Sequence, residues 1–138
     1  MEKHSLKIQW TDDLSTGHLP TDNQHRMLID IINELADAIE KDETPIKMNE
    51  ILQLLYHYTE WHFEREEECM ARTKCPLGEK NKKAHCIFID KLKAFQNEYR
   101  EDPSKDFAER VYKELINWLL DHIRGIDTGL RAYVSSEP

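Results

Sequence analysis

The chain has 138 residues, the length of one domain with a real core. It is 39% hydrophobic and 33% charged, with only 4 Gly and 5 Pro, which fits a globular protein and leans all-α. The formal net charge of −8, without a clustered basic face, argues against nucleic acid as the main partner.

No stretch approaches the roughly 18 uninterrupted apolar residues that cross a membrane, so no membrane contact is expected. The start, Met1-Glu2-Lys3-His4-Ser5, has no apolar run behind it and does not read as a signal peptide. The three cysteines, Cys69, Cys75 and Cys86, are odd in number and lack C-x-x-C spacing, so a reducing cytoplasm is expected rather than a disulfide framework. The end, Ser135-Ser136-Glu137-Pro138, reads as a linker, compatible with a domain cut from something longer. The expected organisation is one domain over 1–138, with its core at about 8–133 and a linker-like tail at 134–138.

Residues 1–21 read as an irregular arm, with Ile8 and Trp10 as apolar anchors and with Gly17 and Pro20 as helix breakers. Asp22 is the expected N-cap of a first helix over about 22–41, whose stripe is Leu28, Ile31, Ile32, Leu35 and Ile39. Thr44-Pro45 precedes a second helix over about 46–72, with Ile51, Leu54, Leu55, Tyr58, His62, Phe63 and Glu66 on one face. Lys74-Cys75-Pro76-Leu77-Gly78 is a turn. A third helix over about 79–100 points His85, Phe88, Ile89, Leu92 and Phe95 inward. After Asp102-Pro103-Ser104, a fourth over about 104–126 carries Phe107, Val111, Leu115, Trp118, Leu119, His122 and Ile126, and a short helical tail follows at Leu130 to Val134. Four helices of similar length with short connections predict an up-down-up-down four-helix bundle.

A plain bundle should not carry polar residues on its inward faces. Here helix one places His25 there, helix two His62 and Glu66 at i and i+4, helix three His85, and helix four His122 followed by Asp127. Burying that many ionisable groups without partners costs several kcal/mol. A metal ion pairs them, and imidazoles with carboxylates suit iron, manganese or zinc rather than calcium. The bland alternative is a helical interaction domain with incidental histidines. Cys86 reads as a small buried apolar residue, and the Glu64–Glu68 run as a solvated face in which only Glu66 has the phase of His62.

These residues resemble the hemerythrin family, the bacteriohemerythrins in particular. Asp22-Asn23-Gln24-His25-Arg26-Met27-Leu28 is similar to the first-helix histidine motif, and His62-Phe63-Glu64-Arg65-Glu66 to the His-x-x-x-Glu of the second. His122-Ile123-Arg124-Gly125-Ile126-Asp127 is similar to the His-x-x-x-x-Asp of the fourth, behind Trp118-Leu119, and Ile8-Gln9-Trp10 resembles the family's arm. The third motif departs: aligned on His85 and Phe88, Asn81 stands where the first histidine of His-x-x-x-His belongs.

The resemblance implies two iron ions in an oxo- or hydroxo-bridged centre. One would be held by His25 and His62 and the other by His85 and His122, with Glu66 and Asp127 bridging. It implies O2, or another small diatomic or anion, as the ligand, in a pocket of Asn81, Leu28, Trp118 and Leu119. It assigns no catalytic residue, and no enzymatic activity is expected of the domain itself. An amide at 81 ligates weakly or leaves room for water or an anion, so the second iron should exchange and oxidise more readily. That expectation favours an O2- or redox-sensing domain, fused to an output module such as a diguanylate cyclase, over a free-standing O2 carrier or a ferroxidase-like iron binder.

Overall fold

A computed structural model describes residues 7–43 and 46–134. Its elements are α1 (Leu19–Glu40), α2 (Ile46–Arg72), α3 (Gly78–Glu101), α4 (Lys105–Gly125) and a terminal turn of helix, α5 (Arg131–Val134). Short 3-10 turns precede α1 at Asp12–Leu14 and precede α5 at Asp127–Leu130. α1 packs against α2 and α4, and α3 packs against the same two, which closes the expected all-α, up-down-up-down bundle. Among the described residues, no helix is long and apolar enough to cross a membrane.

One boundary differs from expectation for a local reason. α1 begins at Leu19, with His18 as its N-cap and Pro20 in its first turn, where a missing N–H costs nothing. Pro20 therefore starts the helix instead of breaking it. Asp22 is not the cap: its buried carboxylate accepts from Ser15 Oγ at 2.7 Å, Thr16 N at 2.7 Å and Thr16 Oγ1 at 2.8 Å, closing the arm onto the helix. Gly17, at φ +80, supplies the left-handed residue that this reversal requires. The arm is held further along by Asn33, whose side chain accepts from Ile8 N at 3.0 Å and donates to Ile8 O at 2.7 Å.

α1 and α2 both end in a Schellman arrangement. Glu43 N reaches Ala38 O and Cys75 N reaches Met70 O, each at 2.8 Å, with Asp42 and Lys74 at positive φ. Thr44 and Pro45, expected to open the second helix, lie outside the described residues, as do Met1–Leu6 and the Ser135–Pro138 tail. α4 starts at Ser104, whose side chain accepts from Phe107 N at 3.1 Å. It ends at Gly125, and Ile126, at φ −123 and ψ −57, turns the chain so that Asp127 comes back over the bundle end.

The main core runs from Leu28 to Ile39 on α1, Met48 to Phe63 on α2, Phe88 to Tyr99 on α3 and Phe107 to Ile123 on α4. In α2 the buried stripe is Met48, Ile51, Leu52, Leu55, Thr59, His62 and Phe63, while Leu54, expected inside, is 48% exposed. A second cluster of Cys69, Met70, Cys75, Ile126, Leu130 and Val134 packs the α2–α3 turn against the C-terminal segment. His25 near the start of α1, His62 late in α2, His85 early in α3 and His122 late in α4 all fall at the same end of the antiparallel bundle.

Candidate metal centre

Four helices each present an imidazole to one point because of phase. His62 and Glu66 are one turn apart on α2, and Asp127 follows the end of α4 by way of the Ile126 bend. All six side chains are buried, none more than 6% exposed.

The two carboxylates lie between two histidine pairs. Glu66 Oε2 is 2.9 Å from His25 Nε2 and 3.3 Å from His62 Nε2, while its Oε1 is 3.1 Å from His85 Nε2. Asp127 Oδ2 is 3.2 Å from His25 Nε2, and its Oδ1 is 3.2 Å from His122 Nε2. Two groups of donor atoms result, Glu66, His85, His122 and Asp127 in one and His25, His62 and Glu66 in the other, with the atoms of each within 4.8 Å of one another. The rings are held by aromatic plates: Phe63 stacks on His85 at 3.7 Å and Trp118 on His122 at 4.6 Å.

Charge in this pocket is strongly coupled. Burial pulls the His25 pKa down, but hydrogen bonds to Asp127 and Glu66 outweigh it and raise it to about 10. Burial keeps His62 below the ordinary histidine value despite the pull of Glu66. For His85 burial again lowers the pKa, and the bonds to Glu66 and Glu67 reverse the sign. Burial raises Glu66, yet His62, His25 and His85 together hold it well below the usual carboxylate range. Two buried carboxylates thus create a potential that favours positive charge where the imidazole nitrogens converge.

That potential, together with the donor set, fits a pair of transition-metal ions. His122 Nε2 and Asp127 Oδ1 are buried without a hydrogen-bond partner although they face each other, as groups aimed at a shared cation would be. Imidazole and carboxylate donors suit iron, manganese or zinc. A bound ion would replace the proton that His25 otherwise holds.

The sequence profile described as "Hemerythrin HHE cation binding domain" matches residues 21–134. The chain belongs to the hemerythrin family. It is similar to the bacteriohemerythrin of Pseudomonas aeruginosa, 32% identical over 122 residues that cover 88% of this chain and 78% of that one. It is also similar to the bacteriohemerythrin of Clostridium acetobutylicum, 25% identical over 83% of this chain and 91% of the other. The myohemerythrin of Theromyzon tessulatum is 29% identical over 86% and 87% of the two chains. The cofactor of a hemerythrin domain is a di-iron centre, and the His/Glu/Asp cluster at the bundle end is the group that could hold it.

The other residues singled out from the hemerythrin pattern fall around this cluster or in the core beneath it. Leu28 and Leu119 are buried in the main apolar cluster, and half-buried Trp118 covers His122. Asn81 is fully buried, and its Nδ2 donates to Glu66 Oε1 at 2.9 Å and to Met70 Sδ at 3.3 Å. Its Oδ1 has no hydrogen-bond partner. Cys86, expected to be buried, is exposed, because one residue beyond His85 the helix has already turned outward. Two further residues reach ligand-type nitrogens: Gln24 Oε1 accepts from His62 Nδ1 at 2.6 Å, and Glu67 Oε2 from His85 Nδ1 at 2.9 Å. Glu67 thus departs from the solvated face to which the sequence assigned it. The available signal was its position next to Glu66, 100° further round α2 and toward α3.

Proposed function

We propose that this domain holds two iron ions, one through His25 and His62 and the other through His85 and His122, with Glu66 and Asp127 shared between them. The observation that carries the reading is the division of each carboxylate: one oxygen faces the His25 side and the other the His85–His122 side. When bound, the ions supply redox chemistry toward O2 or another small diatomic or anionic ligand. The chain's own part is geometric and dielectric. Phe63 and Trp118 fix two of the rings, Leu28 and Leu119 keep the surroundings apolar, and the buried carboxylates balance cationic charge.

Asn81 favours a responsive site over a storage site. It puts an amide beside Glu66, where the hemerythrin pattern has a third imidazole for that half, and an amide is the weaker donor. The second iron then carries one strong ligand fewer, so it exchanges and oxidises more readily. A sensor of O2 or redox state tolerates this, whereas a carrier does not. We read the chain as the cytoplasmic sensory domain of a bacterial signalling protein, without enzymatic activity of its own. A stand-alone O2 carrier is the second reading, favoured by relatives named bacteriohemerythrin of which this chain covers 78% and 91%.

Metal analysis and oxygenation test both readings. Two irons per chain are expected, and one or none would remove the di-iron assignment. Reduced protein mixed with air should oxidise without recovering on degassing, and Asn81→His should slow that oxidation by about tenfold or more, the scale of ligand-environment changes at metal sites. A stable oxygenated spectrum that reverses on degassing the unsubstituted protein would favour the carrier.

A further inference from the structure

We infer that Glu67 is the positioning residue of the His85 half of the centre, and that its charge compensates there for the imidazole absent at Asn81. The inference rests on the di-iron reading.

His85 is gripped on three sides. Glu66 Oε1 faces its Nε2 at 3.1 Å, Glu67 Oε2 accepts from its Nδ1 at 2.9 Å, and Phe63 lies flat on the ring at 3.7 Å with an interplanar angle of 5°. Consecutive residues of α2 therefore hold opposite nitrogens of one imidazole on α3. The Glu67 contact fixes the proton on Nδ1 and leaves Nε2, the nitrogen inside the cluster, as the electron-pair donor.

The outer nitrogens of the other half are treated differently. His62 Nδ1 meets the neutral Gln24 at 2.6 Å, and His25 Nδ1 has no hydrogen-bond partner. A carboxylate on Nδ1–H draws the proton away from the ring and raises the negative charge on Nε2, which an amide oxygen does much less. The stronger push thus falls on the half in which Asn81 stands. Glu67 is not sealed in: its side chain is 28% exposed and, with Tyr56, Phe63, His85 and Cys86, it lines a groove of about 350 Å³ between α2 and α3. Solvent in that groove moderates the effect but leaves the hydrogen bond intact.

Glu67→Gln tests the charge and Glu67→Ala tests the contact. In iron-loaded Glu67→Gln, both irons should be retained. The oxidised-to-reduced ratio at a fixed potential should fall about tenfold, equivalent to about 59 mV for one electron. Mössbauer spectra should show the change at one iron site and not at the other. In the metal-free chain, the hydrogen-bonded Nδ1 proton of His85 should be visible by NMR and lost in Glu67→Ala. Co(II) affinity, measured by competition, should fall about 10- to 100-fold in that variant. An unchanged potential in Glu67→Gln, an equal shift at both irons, or a retained Nδ1 proton in Glu67→Ala would each overturn the inference. If the unsubstituted chain binds fewer than two irons, the di-iron reading fails separately, while the metal-free NMR still reports on the Glu67–His85 pair.

Discussion

Glu66→Gln isolates one of the centre's two shared ligands. The carboxylate, 1% exposed, meets four groups: His25 and His62 at Oε2, and His85 and Asn81 at Oε1. A carboxamide of the same shape offers one acceptor and one NH2. In either orientation the NH2 confronts a hydrogen donor, Asn81 Nδ2 on one side or the His25 Nε2–H on the other. One buried donor left unsatisfied costs about 1–3 kcal/mol, and breaking a buried charge pair costs about 3–5 kcal/mol. These describe the same loss and do not add, so about 3–5 kcal/mol is expected for the metal-free protein. At roughly 3 °C per kcal/mol for a chain of this size, its melting temperature should fall by about 9–15 °C. Thermal melts followed by circular dichroism in chelator read that term, and iron analysis of the loaded protein reads the second consequence, retention of one iron or none. A variant that keeps two irons and melts within about 2 °C of the unsubstituted protein would refute both the bridging role and the electrostatic argument.

Removing iron with a chelator should lower the melting temperature while leaving the far-ultraviolet helical signal intact. At a hundredfold excess over its dissociation constant, one bound ion contributes about 2.7 kcal/mol, and identical melts with and without iron would contradict a metal-filled core. Asp22→Ala should cost about 1–3 kcal/mol by stranding the buried Thr16 donors. Amide hydrogen exchange should accelerate across residues 8–16 with iron content unchanged, and unaltered protection there would mean that the arm is held by Asn33 and the apolar anchors alone.

The bundle and its inward histidines were legible because helical phase is a local property: the four-residue step from His62 to Glu66 needs no knowledge of the rest of the chain. The five-residue step from His122 to Asp127 is different. It works only because α4 stops at Gly125 and Ile126 bends the chain, a geometry that helical periodicity does not contain. Sorting residues by polarity misplaced the α2 stripe. Thr59 is buried because its hydroxyl donates to Leu55 O at 2.8 Å, which satisfies it, and the stripe passes through Leu52 and Thr59 rather than Leu54. Asp22 has the local pattern of an N-cap, but hydroxyls and an amide from the arm claim its carboxylate, a contact between segments that no window around Asp22 contains. Glu67 was missed because a single buried face was assumed, whereas α2 has α1 on one side and α3 on the other.

The buried ionisable groups are confined to one end of the bundle. From Leu35 and Ile39 through Met48, Leu92, Phe95, Tyr99, Phe107 and Val111, the end away from the histidines buries no carboxylate, imidazole or ammonium among the described residues. Its cohesion therefore owes nothing to iron. The metal-free chain should therefore keep this half folded, and the histidine end is the part whose local stability tracks metal occupancy.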